Sequence, residues 1–159
     1  MLYLDSSALI KRYIQEVGTE ALNKKWEAEQ QLQSRIFTSV ITFAEVHGMF
    51  ARRRREHLLS TVEFRRLRDA FVSDWAFDLS HVELDAGVLG FISGLVESFR
   101  LKGQDAIQLA SALWLRDALR LGKHFGSGSR VVTFASSDER LNIAAAQLGL
   151  DAFDPEKKP

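Results

Sequence analysis

Five short apolar or β-branched runs alternate along this chain with helix-like stretches, and that alternation restricts the fold more than any other feature. The runs are Leu2 to Leu4, Ile36 to Thr38, Trp75 to Leu79, Arg130 to Phe134 and Leu150 to Phe153. Helices are predicted between them over Ala8 to Ile14, Gly18-Thr19 to about Gln31, Thr61 to Ser73, Val82 to Phe99, Gln104 to Leu121 and Ser136 to Gln147. A further helix, capped by Ser39, is predicted through Val40, Phe43, Ala44 and His47 toward an arginine run. Within Gln104 to Leu121, Ala106, Leu109, Ala110 and Leu113 recur at helical spacing. Strands separated by helices predict the α/β class with a parallel sheet. No internal repeat, linker or low-complexity segment interrupts the pattern, and 159 residues with 46% hydrophobic content suffice for one core. The expected organisation is a single domain over residues 1–153 and a charged tail, Asp154 to Pro159.

Zero cysteines exclude disulfides, thiolate zinc sites and a cysteine nucleophile, so any metal must be held by oxygen or imidazole, and a reducing cytoplasm fits. No uninterrupted apolar span suits export or membrane insertion. Twenty-one basic residues balance twenty-one acidic ones, which argues against bulk electrostatic coating of nucleic acid and leaves only local contact. The local candidate is Arg52 to Arg68, seven arginines with only Glu56 and Glu63 as acids, and a solvated helical face is the competing reading. The glycine and serine stretch His124 to Ser129 lacks the Lys-Ser/Thr of a phosphate-binding loop and reads as a turn.

Four acids have informative addresses. Asp5 ends the first apolar run, where a helix cap accounts for it. Asp105 follows Gly103-Gln104 at a helix start, where free N–H groups and the helix dipole favour a carboxylate. Asp138 sits in Ser136-Ser137-Asp138-Glu139, in which Ser136 and Glu139 have capping-box spacing. Glu45 lies among the apolar residues Val40 to Val46; burial without a partner would cost several kcal/mol, so a metal ion or an arginine such as Arg52 is expected beside it. Asp5 and Asp138 each follow a strand and open a helix, at the carboxyl edge of the sheet where open α/β folds bind ligands. If Asp105 and Glu45 reach that edge, the mutual repulsion of four carboxylates is relieved by hard divalent ions, and such a cluster suits phosphodiester hydrolysis.

Four stretches in order, Leu4-Asp5-Ser6-Ser7-Ala8-Leu9-Ile10-Lys11, Phe43-Ala44-Glu45-Val46, Gln104-Asp105-Ala106-Ile107-Gln108-Leu109-Ala110-Ser111-Ala112-Leu113 and Phe134-Ala135-Ser136-Ser137-Asp138-Glu139-Arg140-Leu141, resemble the PIN-domain superfamily. Within it they are most similar to VapC-type toxins of bacterial toxin–antitoxin modules, and the resemblance spans essentially the whole chain. It implies a three-layer α/β/α sandwich around a central parallel sheet. It also implies a magnesium- or manganese-dependent endoribonuclease acting on structured RNA such as transfer or ribosomal RNA. A cognate antitoxin that wraps the toxin and can place an arginine in the acidic pocket is implied too, and homodimers are common among similar toxins.

Carried over position by position, Asp5, Glu45, Asp105 and Asp138 are the catalytic and metal-binding acids, while Ser7 and Ser136 match hydroxyl positions that orient carboxylates or water, or else serve as plain helix caps. Gln108 stands where many relatives have histidine, Ser136 replaces the commoner threonine, and His47 takes an apolar position; altered supporting contacts are expected, not inactivity. His47 is expected to be packed, and Trp26, Trp75 and Trp114 to serve the core or an antitoxin groove. Two rival readings keep the same acids: a non-catalytic module that docks a partner's arginine, and an RNA-maturation nuclease that is not a toxin.

Overall fold

The computed structural model describes residues 1–122 and 131–157; the turn expected at His124 to Ser129, and Arg130, lie outside the described residues. Five strands, β1 (Leu2–Leu4), β2 (Ile36–Ser39), β3 (Leu79–Val82), β4 (Thr133–Ala135) and β5 (Asp151–Phe153), form one wholly parallel sheet in the order β3-β2-β1-β4-β5. The helices are α1 (Ser6–Leu9), α2 (Thr19–Gln31), α3 (Thr42–Arg55), α4 (Thr61–Phe77), α5 (Ala86–Phe99), α6 (Gly103–Arg120) and α7 (Glu139–Gln147).

Strand side chains alternate between two faces, and the sequence uses both. Leu2, Leu4, Ile36 and Leu79 pack against Leu9, Trp26, Phe50 and Phe71 from α1 to α4. Tyr3, Phe37 and Phe134 pack on the other side against Val88, Leu109, Leu113 and Leu141 from α5 to α7. Each fully buried leucine or phenylalanine contributes roughly 1.5–3 kcal/mol by leaving water, and two such layers on one sheet make the expected three-layer α/β/α sandwich. Among the described residues no helix is long and apolar enough to cross a membrane.

Several boundaries differ from expectation, each for a physical reason. Trp75 is not in a strand: it lies in α4, continuing the stripe Phe64, Leu67 and Phe71, and packs on Phe71 and Phe43 at 5.7 and 5.0 Å between ring centroids. The strand starts only after the helix cap Asp78, so Val82 ends β3 and α5 begins later, at Ala86, where Asp85 Oδ1 accepts a hydrogen bond from Val88 N–H. Ser39 does not cap α3. It is the buried last residue of β2, with Ser111 Oγ at 3.2 Å, and α3 starts at Thr42. The helix expected over Ala8 to Ile14 is one α-turn followed by a 3-10 turn, Ile10–Arg12.

Residues 154–157 fold back onto the domain. The buried Lys11 ammonium donates to Glu16, to the Val17 carbonyl and to Glu156 at 2.9, 2.9 and 2.7 Å. Gly18, at φ +90, faces the Pro155 carbonyl so closely that a Cβ would lie 2.8 Å from its oxygen.

Candidate active site

The chain winds outward from β1 through β2 to β3, then returns to lay β4 on the other side of β1. Loops leaving two such strands diverge and open a crevice at their carboxyl ends. Asp5 leaves β1 and Ser136 leaves β4 at that point, and Asp5 N–H donates to the Ala135 carbonyl at 3.1 Å.

The Asp5 carboxylate is buried at 4% exposure and surrounded by donors. Its Oδ1 accepts from Ala8 N–H at 2.8 Å, as a helix cap does, and Ser7 Oγ lies 2.8 and 3.0 Å from its two oxygens. Ser136 Oγ donates to Oδ2 at 2.8 Å and accepts from Asp138 N–H at 3.0 Å; Ser7 Oγ accepts from Ser137 N–H at 2.9 Å. Both serines therefore join the two loops. The capping box expected from Ser136 and Glu139 does not form, because Ser136 is engaged with Asp5 and the cap of α7 is Asp138, whose side chain accepts from Arg140 and Leu141 N–H. Burial pushes the Asp5 carboxyl up to about 6, against the lowering effect of Ala8 N–H, Ser136 and Ser7, and the negative charge of Glu45 adds to the rise.

Glu45, in the first turn of α3, is half-buried, and its neighbours Phe43 and Ala44 are exposed, so apolar walls do not enclose it. Its close protein partner is not an arginine: Gln108 Nε2 donates to Glu45 Oε2 at 2.6 Å. Arg52 instead lies 4.0 Å from Glu56. Gln108 is buried and links three elements, since Nε2 also reaches Thr42 Oγ1 at 2.8 Å and Oε1 accepts from Tyr3 Oη at 2.9 Å. Nothing in the sequence marks Tyr3 or Thr42 as polar supports; the odd residue at Gln108 is the one available signal. Burial raises the Glu45 carboxyl, the hydrogen bonds from Gln108 and Ser6 oppose it, and the charge of Asp105 adds to the rise.

Asp105 occupies the third position of α6, half-buried, and lines a groove with Ser6 and Glu45. It also lines a small crevice with Asp138, Lys102 and Arg140, and Asp5 is joined to the backbone of Asp138 through Ser136. His47 is engaged in packing, its Nδ1 2.8 Å from the Phe43 carbonyl oxygen and its ring 5.3 Å from Phe71.

Among the described residues no group of three or more histidine, aspartate or glutamate side chains is close enough to form a ready-made metal cage. The donor chemistry nevertheless fits a hard divalent ion. Magnesium takes one or two carboxylates and keeps several waters in preference to an all-protein cage, and Asp5 is a buried carboxylate already oriented through both oxygens, with the charges of Glu45 and then Asp105 beyond it.

No family model matches the chain. Ribonuclease VapC45 and Ribonuclease VapC49, from two strains of Mycobacterium tuberculosis, are each 30% identical over 118 residues, which is 74% of this chain and 78% of theirs. The crystal structure of VapBC2 from Rickettsia felis, bound to a DNA fragment from its promoter, superposes with a TM-score of 0.62 at 12% identity, covering 97% of this chain and 98% of that one. The fold and the shared length of sequence agree: this chain belongs to the VapC ribonucleases, of PIN-domain architecture.

Proposed function

We propose that this protein is the toxin of a toxin–antitoxin pair, an endoribonuclease that hydrolyses phosphodiester bonds in structured RNA, transfer or ribosomal, with magnesium or manganese. The observation that carries the reading is the Asp5 carboxylate, buried at the β1–β4 crevice and fixed by Ser7 and Ser136, with the charges of Glu45 and then Asp105 in succession beside it. The solved VapBC2 relative is a complex, which supports a cognate antitoxin as the protein partner here. A chain without cysteine suits a reducing cytoplasm.

Asp5, Asp105 and Asp138 would hold the ion, with Glu45 as a further ligand or a water-mediated one. When bound, such an ion supplies a water of lowered pKa and Lewis-acid stabilisation of the phosphate. The chain's own part is orientation and charge. Ser7 and Ser136 fix the direction of the Asp5 oxygens, the burial of Asp5 makes cation binding favourable at that carboxylate, and Gln108 holds Glu45 at the groove edge.

Purified protein incubated with transfer and ribosomal RNA at millimolar manganese is expected to cleave, and EDTA to stop it. Asp105→Asn should remove the activity while the circular dichroism spectrum stays unchanged. Cleavage that survives EDTA, or that is undiminished in Asp105→Asn, would overturn the assignment.

Gln108 offers an independent check. Gln108→Leu deprives Glu45 of its donor and leaves the Tyr3 and Thr42 hydroxyls short of a partner. Supporting interactions of this kind are worth roughly 10–100-fold in activity, and an unsatisfied buried hydroxyl costs about 1–3 kcal/mol. A fall in kcat of that size with a lower unfolding midpoint in urea is the expected result. Full activity would show that Glu45 needs no positioning.

A further inference from the structure

Helix α3 carries Glu45 at its start and four consecutive arginines at its end, and helical geometry divides those arginines. Arg53 Nη2 donates to Glu16 Oε2 at 2.8 Å, and the Arg54 guanidinium lies over the Phe64 ring, 5.1 Å from its centroid. Both are tied into the domain. Arg52 and Arg55, three residues apart and so on one face, line an open groove of about 710 Å³ together with Glu45 from the same helix and with Ser6 and Asp105. Arg52 is 65% exposed and only 4.0 Å from Glu56, a surface pairing that contributes little. Arg55 is exposed and has no ion-pair partner among the described residues.

Gly48 lies between them and the acids on the same groove wall. A Cβ built on it meets nothing within 4 Å, so internal packing does not require glycine there. Glycine inside a helix nonetheless costs about 1 kcal/mol relative to alanine. Its effect is to leave bare backbone between Glu45 and Arg52.

We propose that Arg52 and Arg55 grip the RNA phosphate backbone flanking the scissile bond, and that the strand passes over Gly48 on its way to the acidic site. The proposal rests on the ribonuclease reading and names the part of the groove that receives the polyanion. An acidic centre repels phosphate, and a chain of zero net charge supplies no general attraction, so a local cationic pair must do so. Guanidinium groups match phosphate oxygens in a bidentate fork. At about 1.5 Å rise per residue, Arg52 and Arg55 stand roughly 10 and 15 Å along the axis from Glu45, a reach of a few nucleotides. Interactions of this type set the position of the strand without reading its sequence.

The test compares Arg52→Gln/Arg55→Gln with Arg65→Gln/Arg66→Gln, which removes the same charge from the exposed face of α4. Steady-state cleavage of a defined RNA is measured for each. Binding of a single-stranded RNA oligonucleotide is measured across a salt series in an Asp5→Asn background. The groove pair is expected to raise KM about tenfold with kcat nearly unchanged, and to lower the slope of log affinity against log salt by about 1.4, or about 0.7 for each phosphate that an arginine ceases to neutralise. The α4 pair should do neither. Gly48→Met, which fills the floor, should raise KM and leave the slope intact.

Unchanged KM and slope in the groove pair, or equal losses in both pairs, overturns the proposal. Unchanged RNA kinetics together with weakened antitoxin binding also overturns it and gives the groove to the protein partner. A wild-type protein that cleaves no RNA would instead bring down the ribonuclease reading, and this inference with it.

Discussion

Asp5→Asn is expected to lower RNA cleavage at least ~10³-fold, beyond the roughly 10–100-fold typical of residues that only support a ligand. The substitution is nearly isosteric and keeps an oxygen for Ala8 N–H and Ser7, so the cap of α1 persists, while the amide nitrogen in place of Oδ2 donates to Ser136 Oγ instead of accepting from it. What disappears is the negative charge of Asp5, on which the proposed cation binding would depend. Single-turnover assays at saturating manganese separate this from weak RNA binding, since the variant should still bind RNA. Activity within tenfold of wild type would remove Asp5 from the chemistry.

The same substitution is expected to stabilise the metal-free protein, and by an amount that depends on pH. Burial lifts the Asp5 carboxyl from 3.8 to about 6, so the folded state holds this proton more tightly than the unfolded chain does. The resulting contribution to stability is complete below the unfolded value and is lost as pH rises through the folded one. In EDTA, wild type should therefore fall behind Asp5→Asn between about pH 4 and about pH 7, by on the order of 3 kcal/mol at roughly 1.4 kcal/mol per unit of displacement. Urea unfolding of both proteins at the two pH values measures the difference directly. A gap that stays constant with pH would mean that Asp5 ionises in the fold at no cost. Added magnesium should narrow the gap at the higher pH, because a ligand of the folded state stabilises wild type by mass action.

Much of the architecture is legible because it rests on local pattern. Short strand runs alternating with helical stripes point to the parallel sheet, and the two strand-to-helix junctions at Asp5 and Asp138 point to the carboxyl edge at which the candidate site lies. Local signals mislead where two readings fit them. Trp75 and Phe77 suit a strand by composition, but Phe64, Leu67 and Phe71 already set a helical stripe that Trp75 extends. Ser39 looks like a cap, yet it ends a buried strand. Arg52 looks like a partner for Glu45, yet it lies beside Glu56, and the Glu45 carboxylate accepts from an amide of α6. Ser136 and Gln108 illustrate what one chain cannot display: their partners, Asp5 and Tyr3, lie 131 and 105 residues away, and only the folded sheet brings them together.

The position of β1 also governs when the Asp5 pocket can be complete. This strand lies at the centre of the sheet, but its second neighbour, β4, is made more than a hundred residues after it. One of the two hydroxyls that fix Asp5, that of Ser136, follows directly on that late strand, 131 residues downstream. At a synthesis rate of about 5–20 residues per second, this separation corresponds to roughly 7–26 s, during which the growing chain has Asp5 with its local donors Ser7 and Ala8 N–H but not Ser136. The Asp5 pocket is therefore a late product of synthesis, closed only once β4 has been laid beside β1.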